Sequence, residues 1–186
     1  VAVIAAAARS KDALLRANVA AAVGPTRTAA ALDVLRALAT KDADAGVRAA
    51  ALDALWDFRA EDDPPEDERA AGAAALATGA ASDTVPAVRA AALEALGRLR
   101  APGAADVLRA DVAKDGEDDG VRCVARMELR YDAADDVVRG LAEAAADPSW
   151  RVRAQTVEDA FALRRAGGVA ALLALVGDAR ERVAGH

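Results

Sequence analysis

The sequence predicts an all-α protein built as an array of stacked helical hairpins. One observation behind this is compositional: 56 of 186 residues are Ala, and aromatic residues make up only 3%. Ala is the strongest helix former, and few residues here favour strands. The second is recurrence. A pattern centred on Arg returns as Leu15-Arg16-Ala17, Val47-Arg48-Ala49, Val88-Arg89-Ala90, Val121-Arg122-Cys123 and Val152-Arg153-Ala154. The third is spacing, because apolar residues around each copy recur every three or four positions, as on one face of a helix.

The arginines lie 32, 41, 33 and 31 residues apart. The long interval holds the acidic, Pro-broken stretch at 61–68, and removing about eight residues there restores the period. Each copy reads as helix, turn, helix. First helices are expected near 28–40, 66–79, 103–114, 134–146 and 167–177, with a partial one at 1–9. Second helices should begin near 12, 45, 85, 119 and 149. Pro25 and Pro102 sit at first-helix starts, and Pro86 sits at a second-helix start, where its missing N–H costs nothing. Gly24, Gly97 and Gly103 are read as boundaries. The repeats are then roughly 1–24, 25–60, 66–100, 102–132 and 133–165, with a partial copy at 166–186.

Val47, Ala51, Leu55 and Phe58 form one apolar stripe; Val88, Ala92, Leu96 and Leu99 form the matching one. Leu32, Leu35 and Leu38 do the same on a first helix. A single thin hairpin cannot bury such a face, whereas stacked neighbours can.

The run Asp83-Thr84-Val85-Pro86-Ala87-Val88-Arg89-Ala90-Ala91-Ala92-Leu93-Glu94-Ala95-Leu96-Gly97 resembles the HEAT repeat family, especially the short bacterial PBS-lyase-type repeats. The likeness covers about residues 10–178 and implies a right-handed α-solenoid of about five HEAT-like hairpins, an α-α superhelix of armadillo-like kind. Copies one and four depart from the pattern: Leu15 replaces Val, and Arg126 and Glu128 stand where other copies are apolar or small.

Arg48, Arg89, Arg122 and Arg153 are expected to form a structural ladder. Asp42, Asp83 and Asp147 lie six residues before an Arg, and Asp44 and Asp118 lie four before. Such carboxylates cap helix starts and suit the helix dipole, and a guanidinium can bridge them to the neighbouring turn. The competing reading, a row gripping an anionic partner, is ranked lower.

The partner-facing surface is expected along the second helices. Its candidates are Asp53, Trp56, Glu94, Val124, Met127, Tyr131 and Glu158, with Arg126 and Arg130 beside the apolar fourth row. A rotated helix that buries the Val124/Met127/Tyr131 stripe is the preferred alternative. For Trp56 and Trp150 a packing role ranks above the alternative, an anchor for a partner. Arg122 and Arg126 could lower the Cys123 thiol, but Cys123 is read as a small helix residue.

Net charge is −6, with 24 basic against 30 acidic residues. That argues against a general nucleic-acid binder. One Cys excludes an internal disulfide, and His186 as the one His excludes His-built metal centres and most His catalysis. No Walker loop, dinucleotide turn or nucleophile elbow occurs, and 61–68 lacks calcium-loop spacing. No apolar run is long enough to span a bilayer. No catalytic residue, metal or cofactor is therefore assigned. The absent initiating Met is taken as processing or trimming, and a free Cys without a secretory signal points to the cytoplasm.

The function expected is a noncatalytic scaffold binding a protein or extended peptide, with self-association through exposed end repeats. The resemblance implies two alternatives: an accessory domain of a larger enzyme, or a bilin-lyase-like chromophore binder. DNA work, known for some HEAT-like glycosylases, ranks last because acidic residues line the proposed face. HEAT-built iron hydroxylases need His-Glu pairs that this chain lacks.

Overall fold

A computed structural model describes residues 2–59, 68–100, 102–114, 116–129, 140–141 and 143–163. The described residues are helical or in turns, with no strand among them. The chain divides into two compact units, Val1–Val107 and Leu108–His186.

In the first unit the helices are α1 (Ala2–Ala7), α2 (Ala13–Val23), α3 (Ala29–Lys41), α4 (Ala45–Asp53), α5 (Glu68–Ala80) and α6 (Pro86–Leu99). Short 3₁₀ turns at Gly24–Thr26 and Ala54–Phe58 follow α2 and α4. Helix α3 packs on α4 and α5 on α6, giving antiparallel hairpins of first and second helices. Second helices then pack side by side, α2 on α4 and α4 on α6, while α3 packs on α5 in the other layer. The core is the seam between these layers. Val47, Ala51, Leu55 and Phe58 are all buried, as are Val88, Ala92, Leu96 and Leu99. Leu52 and Leu93 are fully enclosed as well. A second helix touches the first-helix layer and both its neighbours, so it buries more than one stripe.

Local chemistry sets the helix starts. Asp12 accepts from the Leu14 and Leu15 amides, Asp44 from Gly46 and Val47, and Asp118 from Gly120 and Val121. These bonds satisfy donors with no partner inside the helix. Thr28 caps α3 through the Ala31 amide. Pro86 opens α6 without a side-chain cap. Gly97, read as a boundary, lies inside α6, which runs to Leu99 and ends on Arg100 in the left-handed region. Gly24 is required by close approach: a Cβ there would stand 2.5 Å from Asp57 Oδ2 and 2.9 Å from the Ala54 carbonyl oxygen.

Helix α7 (Ala104–Ala113) begins in the first unit and ends in the second. The second unit contains α8 (Asp119–Leu129), helical residues at 140–141 and 143–145, and α9 (Trp150–Leu163), which packs on α8. The expected helix at 167–177 and most of the one at 134–146 lie outside the described residues, as do Arg130, Tyr131, His186 and all of the acidic stretch but Glu68.

Candidate functional site: an arginine-clasped turn edge and an outward helix face

The repeated arginines lie at the turn edge, where Arg16, Arg48, Arg89 and Arg153 tie their own turns together. Arg16 Nη1 donates to the Ser10 carbonyl at 2.8 Å, Arg48 to Asp42 at 3.0 Å, Arg89 to Asp83 at 2.9 Å and Arg153 to Asp147 at 2.6 Å. The acceptor in these four bonds is the residue six positions earlier, and Arg48, Arg89 and Arg153 also reach the carbonyl five positions earlier. Arg16 and Arg48 also reach forward to the next turn. Arg16 Nε and Nη2 grip both oxygens of Asp42 at 2.7 and 2.8 Å, and Arg48 grips those of Asp83 at 2.9 and 3.0 Å. Each of these aspartates accepts a further bond from the amide two residues on, Asp44 or Val85. The forked guanidinium suits such bidentate pairing. Its hydrogen bonds hold Asp42 and Asp83 below the usual carboxylate range, against the pull of burial.

The second unit wires the edge differently. Arg122 Nη2 lies 2.8 Å from Asp119 and 3.3 Å from Asp147, so it divides itself between two carboxylates. Asp119 also accepts from the Ser149 hydroxyl at 2.7 Å, and Ser149 and Arg122 together hold it low. Asp147 accepts from the Ser149 amide at 2.7 Å. Six residues before Arg122 stands Gly116, with φ +74, where three other copies carry Asp.

On the outward face of α4 and α6, Asp53 is exposed and Glu94 half-exposed. Arg98 joins them, lying 3.5 Å from Asp53 and in close contact with Glu94. Trp56 is 48% exposed, not packed, which corrects the role expected for it. The reason is angular. Trp56 comes nine residues after Val47, about two and a half turns, so it points away from the buried stripe. Phe161 of α9 has the same relation to Val152 and is 72% exposed. Phe161 is not among the candidates named from the sequence, although its offset from Arg153 equals that of Trp56 from Arg48. Glu158 is exposed one turn before it. Trp150 is half-buried, with Arg151 over its ring at 5.8 Å.

The fourth-row candidates divide. Val124 and Met127 are half-buried. Arg126, a candidate beside that stripe, is only 5% exposed and donates to the Gly140 carbonyl. It occupies the register of Leu52 and Leu93, both of which are fully enclosed. Burial lowers its pKa, opposed by Asp159, Asp147 and Glu143. Cys123 is not activated by its arginine neighbours. Burial, then Asp119 and Asp147, push its thiol up to about 11, outweighing Arg122. Among the described residues no cluster of His, Cys, Asp and Glu is arranged for a metal, and no helix is long and apolar enough to cross a membrane.

No protein-family model matches the chain, and no curated protein matches it in sequence. Similar folds do occur among solved structures. One is in the complex of CpcE and CpcF of phycocyanin lyase from Nostoc sp. PCC7120, at TM-score 0.64 and 20% identity, covering 97% of this chain and 71% of that one. An engineered protein matches at TM-score 0.55 and 16% identity, with 98% and 93% covered. Another does so at 0.50 and 17%, with 98% and 91% covered. The fold is thus all-α, of the HEAT-like helical solenoid class.

Proposed function

We propose that this chain is a noncatalytic member of the HEAT-like repeat family that binds protein or extended peptide along the outward face of its second helices. The observation that carries the reading is a division of labour. The repeat arginines are committed to turn carbonyls and turn aspartates, while Asp53, Trp56, Glu158 and Phe161 face outward and take no part in the core. A solenoid can vary such residues without disturbing its seam. Cytoplasmic location and self-association belong to the same proposal. Ile4, Leu14 and Leu15 supply exposed apolar surface for the latter.

A second reading, bilin-lyase-like handling of a chromophore beside a protein partner, draws on the fold likeness to the phycocyanin lyase complex. One titration separates the two. A linear tetrapyrrole is added to the intact chain while visible absorbance and induced circular dichroism are followed. The scaffold reading expects no saturable change. A saturable red shift with induced dichroism would favour the chromophore reading instead.

A further inference from the structure

The position eight residues after each repeat arginine is unusual in this aromatic-poor chain. It holds Trp56 after Arg48 and Phe161 after Arg153, but Gly24 after Arg16, Gly97 after Arg89 and Arg130 after Arg122. Two of the five aromatic residues therefore share one register, and both point into solvent while Phe58 is buried. Each has a carboxylate three residues earlier: Asp53 before Trp56, and Glu158 before Phe161, both exposed. Residues three apart lie on the same face of an α-helix and eclipse in a 3₁₀ turn. Each ring thus has an acid beside it, within its own unit.

An exposed ring face attracts a cation through its quadrupole, and an adjacent carboxylate neutralises that cation's charge. Arg151 over Trp150 shows the geometry inside this molecule, whereas among the described residues no cation occupies Trp56 or Phe161 in that way. Charge points the same way. Asp57 follows Trp56 directly, in a chain of net charge −6. Arg98 does not close the site: its pair with Asp53 is 3.5 Å long and solvent-exposed, a contact an incoming cation displaces readily.

We propose that Asp53/Trp56 and Glu158/Phe161 are two copies of one cation-docking device, each taking an arginine or lysine side chain from an extended basic segment of a protein partner. This rests on the scaffold reading and specifies the class of its partner.

The test is an NMR titration of the intact chain with a blocked Gly-Arg-Gly-Arg-Gly peptide and, separately, its Gln counterpart. The arginine peptide is expected to shift the Trp56 indole N–H and the amides around 53–57 and 158–161 saturably. Trp56→Leu should abolish the first set and leave the second; Phe161→Leu should do the reverse. Both side chains are exposed, so far-UV dichroism should not change. Shifts spread over all surface carboxylates, or persisting in both Leu variants, overturn the proposal. Equal shifts by both peptides at these residues remove the cation and leave the scaffold reading standing. No shift from either peptide counts against both.

Discussion

The two units solve one packing problem with different chemistry. Four residues after the repeat arginine, the first unit carries Leu52 and Leu93, and the second unit carries Arg126. Six residues after, the first unit carries Ala54 and Ala95, and the second carries Glu128 and Asp159. All seven are buried. Asp111, Glu117, Arg153 and Thr156 are buried in the second unit too, and among the described residues the first unit buries no polar counterpart. At these seven places the register encloses apolar and charged residues alike. It does not fix what fills them. An apolar filling gives stability outright, whereas a charged one must recover its desolvation through partners.

The largest test of that contrast moves the second unit's residue into the first. Leu93→Arg puts a cation into a seam of Leu and Ala, with no carboxylate at the Ala54 or Ala95 register. It should unfold the first unit, with a cost of several kcal/mol. Leu93→Ala, which removes side-chain bulk only, should cost about 2–5 kcal/mol. Each unit has its own tryptophan, Trp56 or Trp150, so fluorescence of Trp150→Phe variants follows the first unit alone during urea unfolding. A Leu93→Arg chain with an unchanged midpoint would break the comparison.

The reverse exchange should have a smaller effect. Arg126→Leu gives the second unit the first unit's residue but leaves Asp159 without a cation that its field favours. The expected loss is about 1–3 kcal/mol. Adding Asp159→Ala, the small residue of the other copies, should return stability to within about 1 kcal/mol of the starting chain. Trp150 fluorescence in a Trp56→Phe background reads the result. Strict additivity of the two changes would show that the pair is not coupled.

The fold was legible because the repeat carries it: in-phase arginines, helical spacing and turn residues all agree. Stripes such as Val47/Ala51/Leu55/Phe58 can be counted off directly. The outward face was harder, for two physical reasons. Trp56 was assigned by residue type, since aromatics are usually core, although its half-turn offset from Val47 places it outside. Arg126 was assigned by polarity, although the matching Leu52 and Leu93 mark an enclosed position. In an array, register outranks residue type. Which carboxylates share an arginine was less accessible, because that depends on how successive turns meet.

Cys123 reports the second unit's interior without altering the fold. It takes the place of Ala49 and Ala90, and burial beside Asp119 and Asp147 holds its thiol at about 11. At pH 8 its thiolate fraction is about a hundredfold or more below that of a free cysteine. Iodoacetamide labelling of the folded chain should be slowed to that degree and return to the free rate in urea. Labelling as fast as a model thiol would place an open, cation-dominated pocket there instead.

The smallest effect concerns the turn edges and is read in acid. Asp42 and Asp83 are held low by Arg16 and Arg48, and Asp119 by Ser149 and Arg122. A carboxylate depressed by folding adds stability above its unfolded pKa, roughly 4, and loses it as pH falls through the lower folded value. Asp42→Asn with Asp83→Asn keeps each turn's acceptor oxygen but removes the charge. The variant's stability should therefore fall less than the parent's between about pH 5 and 2, as seen by Trp56 fluorescence. Asp119→Asn should flatten the Trp150 curve less, because one group changes instead of two. Asp57 acts with opposite sign: burial raises it, so its protonation adds stability as pH falls, and Asp57→Asn should steepen the first unit's acid loss slightly. Parallel curves for parent and double variant would mean that the bidentate pairs fix the geometry of the turns without contributing to their stability.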